Sequence, residues 1–133
     1  MLRYMLDTNT VSYLMRARDA KLAQKLARHE DQVCMSSIVL GELHYGAEAG
    51  PKRAHNLAEI TDLLAVLPVL DFDAAAAEHY GQIRAALKLA GQPIGALDPM
   101  IAGHARSQGL ALVTNNTKHF ARVPGLLIED WTV

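Results

Sequence analysis

The sequence has a single cysteine, Cys34, which excludes an internal disulfide and suits a reducing compartment. It has almost no net charge, −1 at pH 7. No global basic field therefore draws nucleic acid to it, and any such contact has to use local patches. No apolar run reaches the ~18 residues that a membrane span needs. Asp7 interrupts the apolar stretch at the N-terminus, which leaves no signal-peptide form. A soluble cytoplasmic protein is expected. The six histidines include no pair one helical turn apart and no cysteine partner. Zinc-ligand spacing is absent, and these residues read as surface or packing groups. Internal repeats, linkers and low-complexity segments are also missing.

What is present is half hydrophobic, which argues against disorder. At 133 residues the chain reads as one domain, 1–133, with a proper core. The run Leu2-Arg3-Tyr4-Met5-Leu6 predicts a strand that ends on Asp7, and Val11 to Ala17 a helix. Asp19 caps a second helix that turns Leu22, Leu26 and Ala23 inward. Residues 32–35 form a second buried strand, and Ser36 or Ser37 caps a helix from Ile38 to about Ala49. There Val39, Leu43 and Ala47 recur at helical spacing. Glu42 lies beside that stripe, too far along to serve a capping box. A further helix is predicted over Ala54–Leu67, ended by Pro68. Val69-Leu70 is extended, and Asp71 or Asp73 caps an alanine-rich helix over Ala74–Leu89. Asp98 followed by Pro99 reads as cap and first residue of the next helix. Leu110 to Val113 is a strand buried on both faces, followed by the polar cluster Thr114-Asn115-Asn116-Thr117. Leu126 to Ile128 is the last strand. Strands alternating with helices over short connections indicate an α/β protein, its parallel sheet covered on both sides.

Ligands in such sheets bind beyond the carboxyl ends of the strands. Asp7 and Asn116 both follow strands, Asp98 begins a helix, and Glu42 lies a turn and a half into one. All four can reach one sheet edge. Each acid also has a plain reading: Asp7 and Asp98 as helix caps, Glu42 as a solvated residue at a helix edge. Converging carboxylates repel unless a cation neutralises them. Oxygen ligands of this kind suit Mg²⁺ or Mn²⁺, which can activate water for displacement at phosphorus. Arg16, Arg18, Lys21, Lys25 and Arg28 are opposed by one acid, Asp19, and form either a solvated face or a landing strip for phosphates.

Four stretches carry a resemblance: Met5-Leu6-Asp7-Thr8-Asn9, Ser36-Ser37-Ile38-Val39-Leu40-Gly41-Glu42-Leu43, Gly95-Ala96-Leu97-Asp98-Pro99-Met100-Ile101-Ala102, and Leu112-Val113-Thr114-Asn115-Asn116. In this order and spacing the chain resembles, nearly end to end, a PIN-domain ribonuclease of the VapC toxin type. The resemblance implies a three-layer α/β/α fold around a mostly parallel sheet of four to five strands. It implies the toxin of a type II toxin–antitoxin pair: a Mg²⁺-dependent endoribonuclease (with Mn²⁺ as the substitute), a homodimer, blocked by a cognate antitoxin. It gives tRNA as the leading substrate and ribosomal RNA as the second. It assigns Asp7, Glu42 and Asp98 as catalytic metal-binding acids. Thr114 would orient a carboxylate through its hydroxyl, and Asn116 would act through a metal-bound water. The chain departs from the family pattern at Asn116 and His119, where many members carry an acid. Two alternatives stand beside this reading. Asp7-Thr8-Asn9 is similar to the start of a haloacid-dehalogenase-type phosphatase, although Asn9 stands where that family has a second Asp. A non-catalytic PIN-like module that binds RNA or a partner is the other.

Overall fold

The computed structural model describes residues 1–16 and 19–133. Arg18, read as a phosphate contact, and Ala17, read as the end of the first helix, lie outside the described residues. The sheet is built from five short strands: β1 (Tyr4–Leu6), β2 (Val33–Ser36), β3 (Val69–Leu70), β4 (Ala111–Val113) and β5 (Ile128–Glu129). Every residue of β1, β2 and β4 is buried. This is what near-continuous apolar runs predict for strands covered on both faces. The order is β3-β2-β1-β4-β5, and every pairing is parallel.

Helices α1 (Thr8–Met15) and α2 (Ala20–Arg28) connect β1 to β2, the latter followed by a 3-10 turn at Glu30–Gln32. Helices α3 (Ser37–Ala49) and α4 (Arg53–Leu64) connect β2 to β3; α5 (Ala74–Leu89) and α6 (Asp98–Ser107) carry the chain back to β4; α7 (Thr117–Phe120) precedes β5. The chain moves outward from β1 to β3, then crosses to β4 and β5 on the other side of β1. Right-handed crossovers put the connections of these two halves on opposite faces of the sheet. The order therefore reverses between β1 and β4, the place where open α/β sheets form a crevice. Register brings the strand ends into line there. Leu6 pairs with Met35 on one side and Val113 on the other. Asp7 and Thr114 therefore leave the sheet along one edge, level with Ser36 at the end of β2.

The helix starts follow local chemistry. Asp7, Asp19, Ser36 and Asp73 each accept a backbone N–H through a side-chain oxygen, capping α1, α2, α3 and α5. Because Asp7 itself is the cap, α1 begins at Thr8, three residues before the Val11 start expected from its apolar pattern. Helix α4 stops at Leu64, short of the expected Leu67. A turn continues the chain there, with the Leu67 N–H donating to the Leu63 carbonyl at 2.9 Å. Leu67 stays buried. In α2 Leu22 is buried, but Ala23, expected to face inward, is exposed.

The two helices α5 and α6 make the closest packing. A Cβ on Gly103 would stand 2.6 Å from the Tyr80 backbone nitrogen and 2.9 Å from its Cα. Only glycine lets the backbones approach so closely. The end of the chain is fixed by aromatic contacts: Trp131, 1% exposed, meets Tyr4 edge-on at 5.0 Å and stacks on His29 at 5.4 Å.

Candidate active site

Asp7 is buried at the end of the central strand. Its backbone N–H donates to the Val113 carbonyl at 3.1 Å, which ties it to β4. Its Oδ1 accepts the Thr10 N–H at 2.9 Å. The capping reading of Asp7 is therefore correct, and it is compatible with a functional one, since the cap occupies a single carboxylate oxygen. The Thr10 hydroxyl also donates to the Val113 carbonyl, at 3.1 Å, closing the joint between α1 and β4.

Glu42 projects from α3, half-buried. Thr8, one residue after Asp7, donates its hydroxyl to Glu42 Oε1 at 2.8 Å. Burial pushes the Glu42 carboxyl above its ordinary pKa range; the Thr8 bond opposes this, and the negative charges of Asp98 and Asp7 add to it. Asp98 behaves in the same way. Burial raises its pKa, the hydrogen bond and charge of His119 oppose the rise, and Asp7 adds to it. The negative charge of Asp7 thus bears on both Glu42 and Asp98 at the edge where the strand order reverses. As the structure shows them, each also has a partner of its own. Among the described residues, no three histidine, cysteine, aspartate or glutamate side chains are gathered closely enough to enclose an ion.

Asp98 corrects one expectation. It is not the cap of α6 but its first residue; Leu97 stands at the cap and makes no side-chain bond. The Asp98 carboxylate is therefore free of the helix end. Its Oδ2 lies 3.0 Å from His119 Nε2, and the same nitrogen lies 2.8 Å from the Ile94 carbonyl oxygen. Thr114 is fully buried, and its Oγ1 accepts the Asn116 backbone N–H at 3.0 Å. The contact the structure shows for this hydroxyl is thus to the backbone, not to a carboxylate. Asn116 is exposed at the start of α7 and makes no side-chain capping bond. Of the described basic residues, Arg16 lines a small cavity of about 170 Å³ together with Thr8 and Glu42. Lys21 and Arg28 are exposed on α2, and Lys25 is half-buried.

Sequence reasoning missed two histidines. His119 touches Asp98, and His104 is fully buried with Nδ1 2.7 Å from the Ser36 hydroxyl. His104 is a packing residue, as its lack of ligand spacing suggested, but one that also bonds a helix cap; His119 instead faces a carboxylate. Thr8 was also passed over, although a hydroxyl immediately after a strand-end aspartate is a signal worth weighing.

A parallel α/β sheet with three interacting carboxylates at its point of reversal is the frame of the PIN domain, and the PIN domain family matches residues 4–126. Over 132 residues the chain is 48% identical to the tRNA(fMet)-specific endonuclease VapC of Shigella flexneri, covering 99% of this chain and 100% of that one. It is 44% identical over 131 residues to ribonuclease VapC2 of Haemophilus influenzae, covering 98% and 99%. In structure it is similar to DNA-bound VapBC from Salmonella typhimurium, with a TM-score of 0.94, 46% identity, and coverage of 98% of this chain and 99% of that one. The chain belongs to the VapC ribonuclease family of PIN domains. The phosphatase alternative is thereby set aside; Asn9, where that chemistry needs a second aspartate, is simply part of the first turn of α1.

Proposed function

We propose that this chain is the toxin of a toxin–antitoxin pair, a single PIN domain over residues 1–133 that cleaves RNA with the help of Mg²⁺. Asp7, Glu42 and Asp98 are the metal-binding acids, and Mn²⁺ can take the place of Mg²⁺. The observation that carries this reading is that acids from three separate elements meet at the reversal point of the sheet: Asp7 at the end of β1, Glu42 on α3 bonded to the Thr8 hydroxyl beside Asp7, and Asp98 at the start of α6. The donors are all oxygen, as a hard divalent ion requires. Mg²⁺ usually keeps several waters and takes one or two carboxylates directly, so a closed cage of side chains is not needed. A bound ion of this kind supplies activated water and stabilises charge in a displacement at phosphorus. The chain's own part is to hold the acids. The cap bond fixes Asp7, the Thr8 hydroxyl fixes one oxygen of Glu42, and His119 faces Asp98. Thr114 holds the turn on which Asn116 stands, and the Asn116 amide would accept from a water held by the ion. Arg16, beside Glu42, is placed to meet a substrate phosphate.

The substrate class is tRNA, on the strength of relatives named as tRNA(fMet)-specific endonucleases. The protein works in the cytoplasm, as a homodimer, and is held inactive by a cognate antitoxin; relatives seen as VapBC complexes support the partner. The antitoxin docks in an apolar groove of about 800 Å³ whose lining includes Leu14, Met15, Leu26, Leu63 and Val66. Leu14 and Met15 stand half-buried on α1, whereas Val11 on the same helix is buried in the core. Glu30, Asp31, Glu59 and Asp62 also line the groove, so a basic amphipathic segment fits it. A basic side chain of that partner, Arg above all, reaches the acids, since guanidinium pairs with carboxylates bidentately.

The test is cleavage of tRNA by purified protein. Asp7→Asn, Glu42→Gln and Asp98→Asn are each expected to abolish cleavage with the circular dichroism spectrum unchanged, and EDTA should stop the unmodified protein. Near-normal cleavage by a folded Asp7→Asn protein would end this reading.

A further inference from the structure

We propose that His119 is a positioning residue for Asp98, acting through a single ring proton whose location the fold dictates. The inference rests on Asp98 being a metal-binding acid. His119 Nε2 lies 2.8 Å from the Ile94 carbonyl oxygen and 3.0 Å from Asp98 Oδ2. A backbone carbonyl can only accept. A bare Nε2 would face two acceptor oxygens without a hydrogen between them, so Nε2 carries the proton. It shares that proton between the carbonyl and the carboxylate. Ile94 is 3% exposed, so its carbonyl belongs to a fixed part of the protein. The ring is further braced by Phe120, 2% exposed, which it meets edge-on at 5.4 Å. The imidazole is thus anchored on the backbone first and presents its N–H to Asp98 second.

Asp98 needs such a partner. It begins α6 without serving as its cap, so its carboxylate lacks the local bond that steadies Asp7. Glu42 receives the Thr8 hydroxyl. His119 supplies the corresponding donor to Asp98 from the other side of the sequence. The bond to Oδ2 limits rotation of the carboxylate and leaves Oδ1 and the second lone pair of Oδ2 available to a ligand. Partners of this kind orient a ligand and typically change metal affinity by about 10–100-fold when removed.

The experiment measures Mn²⁺ binding to the full chain by electron paramagnetic resonance, together with kcat and KM for tRNA cleavage. It compares the unmodified protein with His119→Phe, His119→Gln and Asp98→Asn, with thermal unfolding as the folding control. Phe keeps a ring and removes the N–H; Gln restores an N–H near the position of Nε2. His119→Phe is expected to weaken Mn²⁺ binding about 10-fold or more and to lower kcat with KM for RNA unchanged. His119→Gln should recover most of that loss. Should Phe disturb the packing on Phe120, His119→Ala gives the same contrast with Gln. Unmodified Mn²⁺ affinity in His119→Phe, or no gain from Gln over Phe, would show that His119 only packs its loop. If Asp98→Asn itself binds Mn²⁺ like the unmodified protein, the metal assignment of Asp98 fails first, and the role of His119 falls with it.

Discussion

His104 is fully buried, and its Nε2 has no hydrogen-bond partner among the described residues. Its other nitrogen, Nδ1, lies against the Ser36 hydroxyl, which also accepts the Ile38 N–H at the start of α3. Ser36 caps the helix that carries Glu42, and His104 belongs to the helix that carries Asp98, so this one bond joins the supports of two acids. Burial pushes the His104 pKa below its ordinary value, against the pull of Asp73 and Asp71. The native ring therefore stays neutral at a pH where an unfolded histidine, with a pKa of about 6.5, takes a proton. The unfolded state then binds more protons than the native one, and stability falls as pH drops below that value. Comparing unfolding free energies of the unmodified protein and His104→Asn from pH 7.5 to 5 should show the variant with the flatter decline. The difference in slope can reach at most about 1.4 kcal/mol per pH unit for one proton. Equal slopes would mean that His104 does not carry this dependence. Cys34 is simpler: burial pushes its thiol up to about 12, so it stays protonated under ordinary conditions and behaves as a core residue.

At the scale of elements, the contact between α5 and α6 decides where Asp98 is held. Gly103→Ala would drive a methyl group into the Tyr80 backbone, and a rigid neighbour cannot yield as a flexible side chain can. A loss of about 1–3 kcal/mol is expected in urea unfolding, the range for overpacked sites. Gly81, on α5, has nothing within 4 Å of an added Cβ. Gly81→Ala should therefore gain up to about 1 kcal/mol from helix propensity alone. Equal effects from the two changes would show that the helices do not approach as described. The elements themselves were legible in the sequence because their signals are local: apolar runs for β1, β2 and β4, and capping aspartates before α2 and α5. The acids Asp7, Glu42 and Asp98 could be placed at one edge because strand ends and helix starts fix them. What could not be read is which groups hold them. His119 is far from Ile94 and Asp98 along the chain, and Ser36 farther still from His104, so neither contact leaves a periodic or motif-like trace. Asp98 before Pro99 looked like a cap because the pair is a common start signal. The helix instead includes Asp98, and that one-residue shift frees its carboxylate.

At the scale of the whole molecule, the apolar groove and the acids can be separated by experiment. Val66 is 76% exposed and lines the groove, so changing it leaves the core intact. Val66→Arg places a positive charge among acids that are proposed to receive a basic partner. It should weaken binding of the cognate antitoxin by at least about 10-fold, or 1.4 kcal/mol, as measured by calorimetry, while RNA cleavage by the free protein stays the same. Unchanged antitoxin affinity would move the docking surface elsewhere. The strand order has a further consequence during synthesis. The central strand β1 is made before the other four strands, yet its second neighbour, β4, consists of residues 111–113. Until then nothing receives the Asp7 backbone N–H or the Thr10 hydroxyl, both of which donate to Val113. Domains fold as units while chains emerge at about 5–20 residues per second. A nascent chain that already carries Asp7, Glu42 and Asp98 but not yet Val113 therefore lacks the acceptor that ties the end of β1 and the start of α1 to the far half of the sheet.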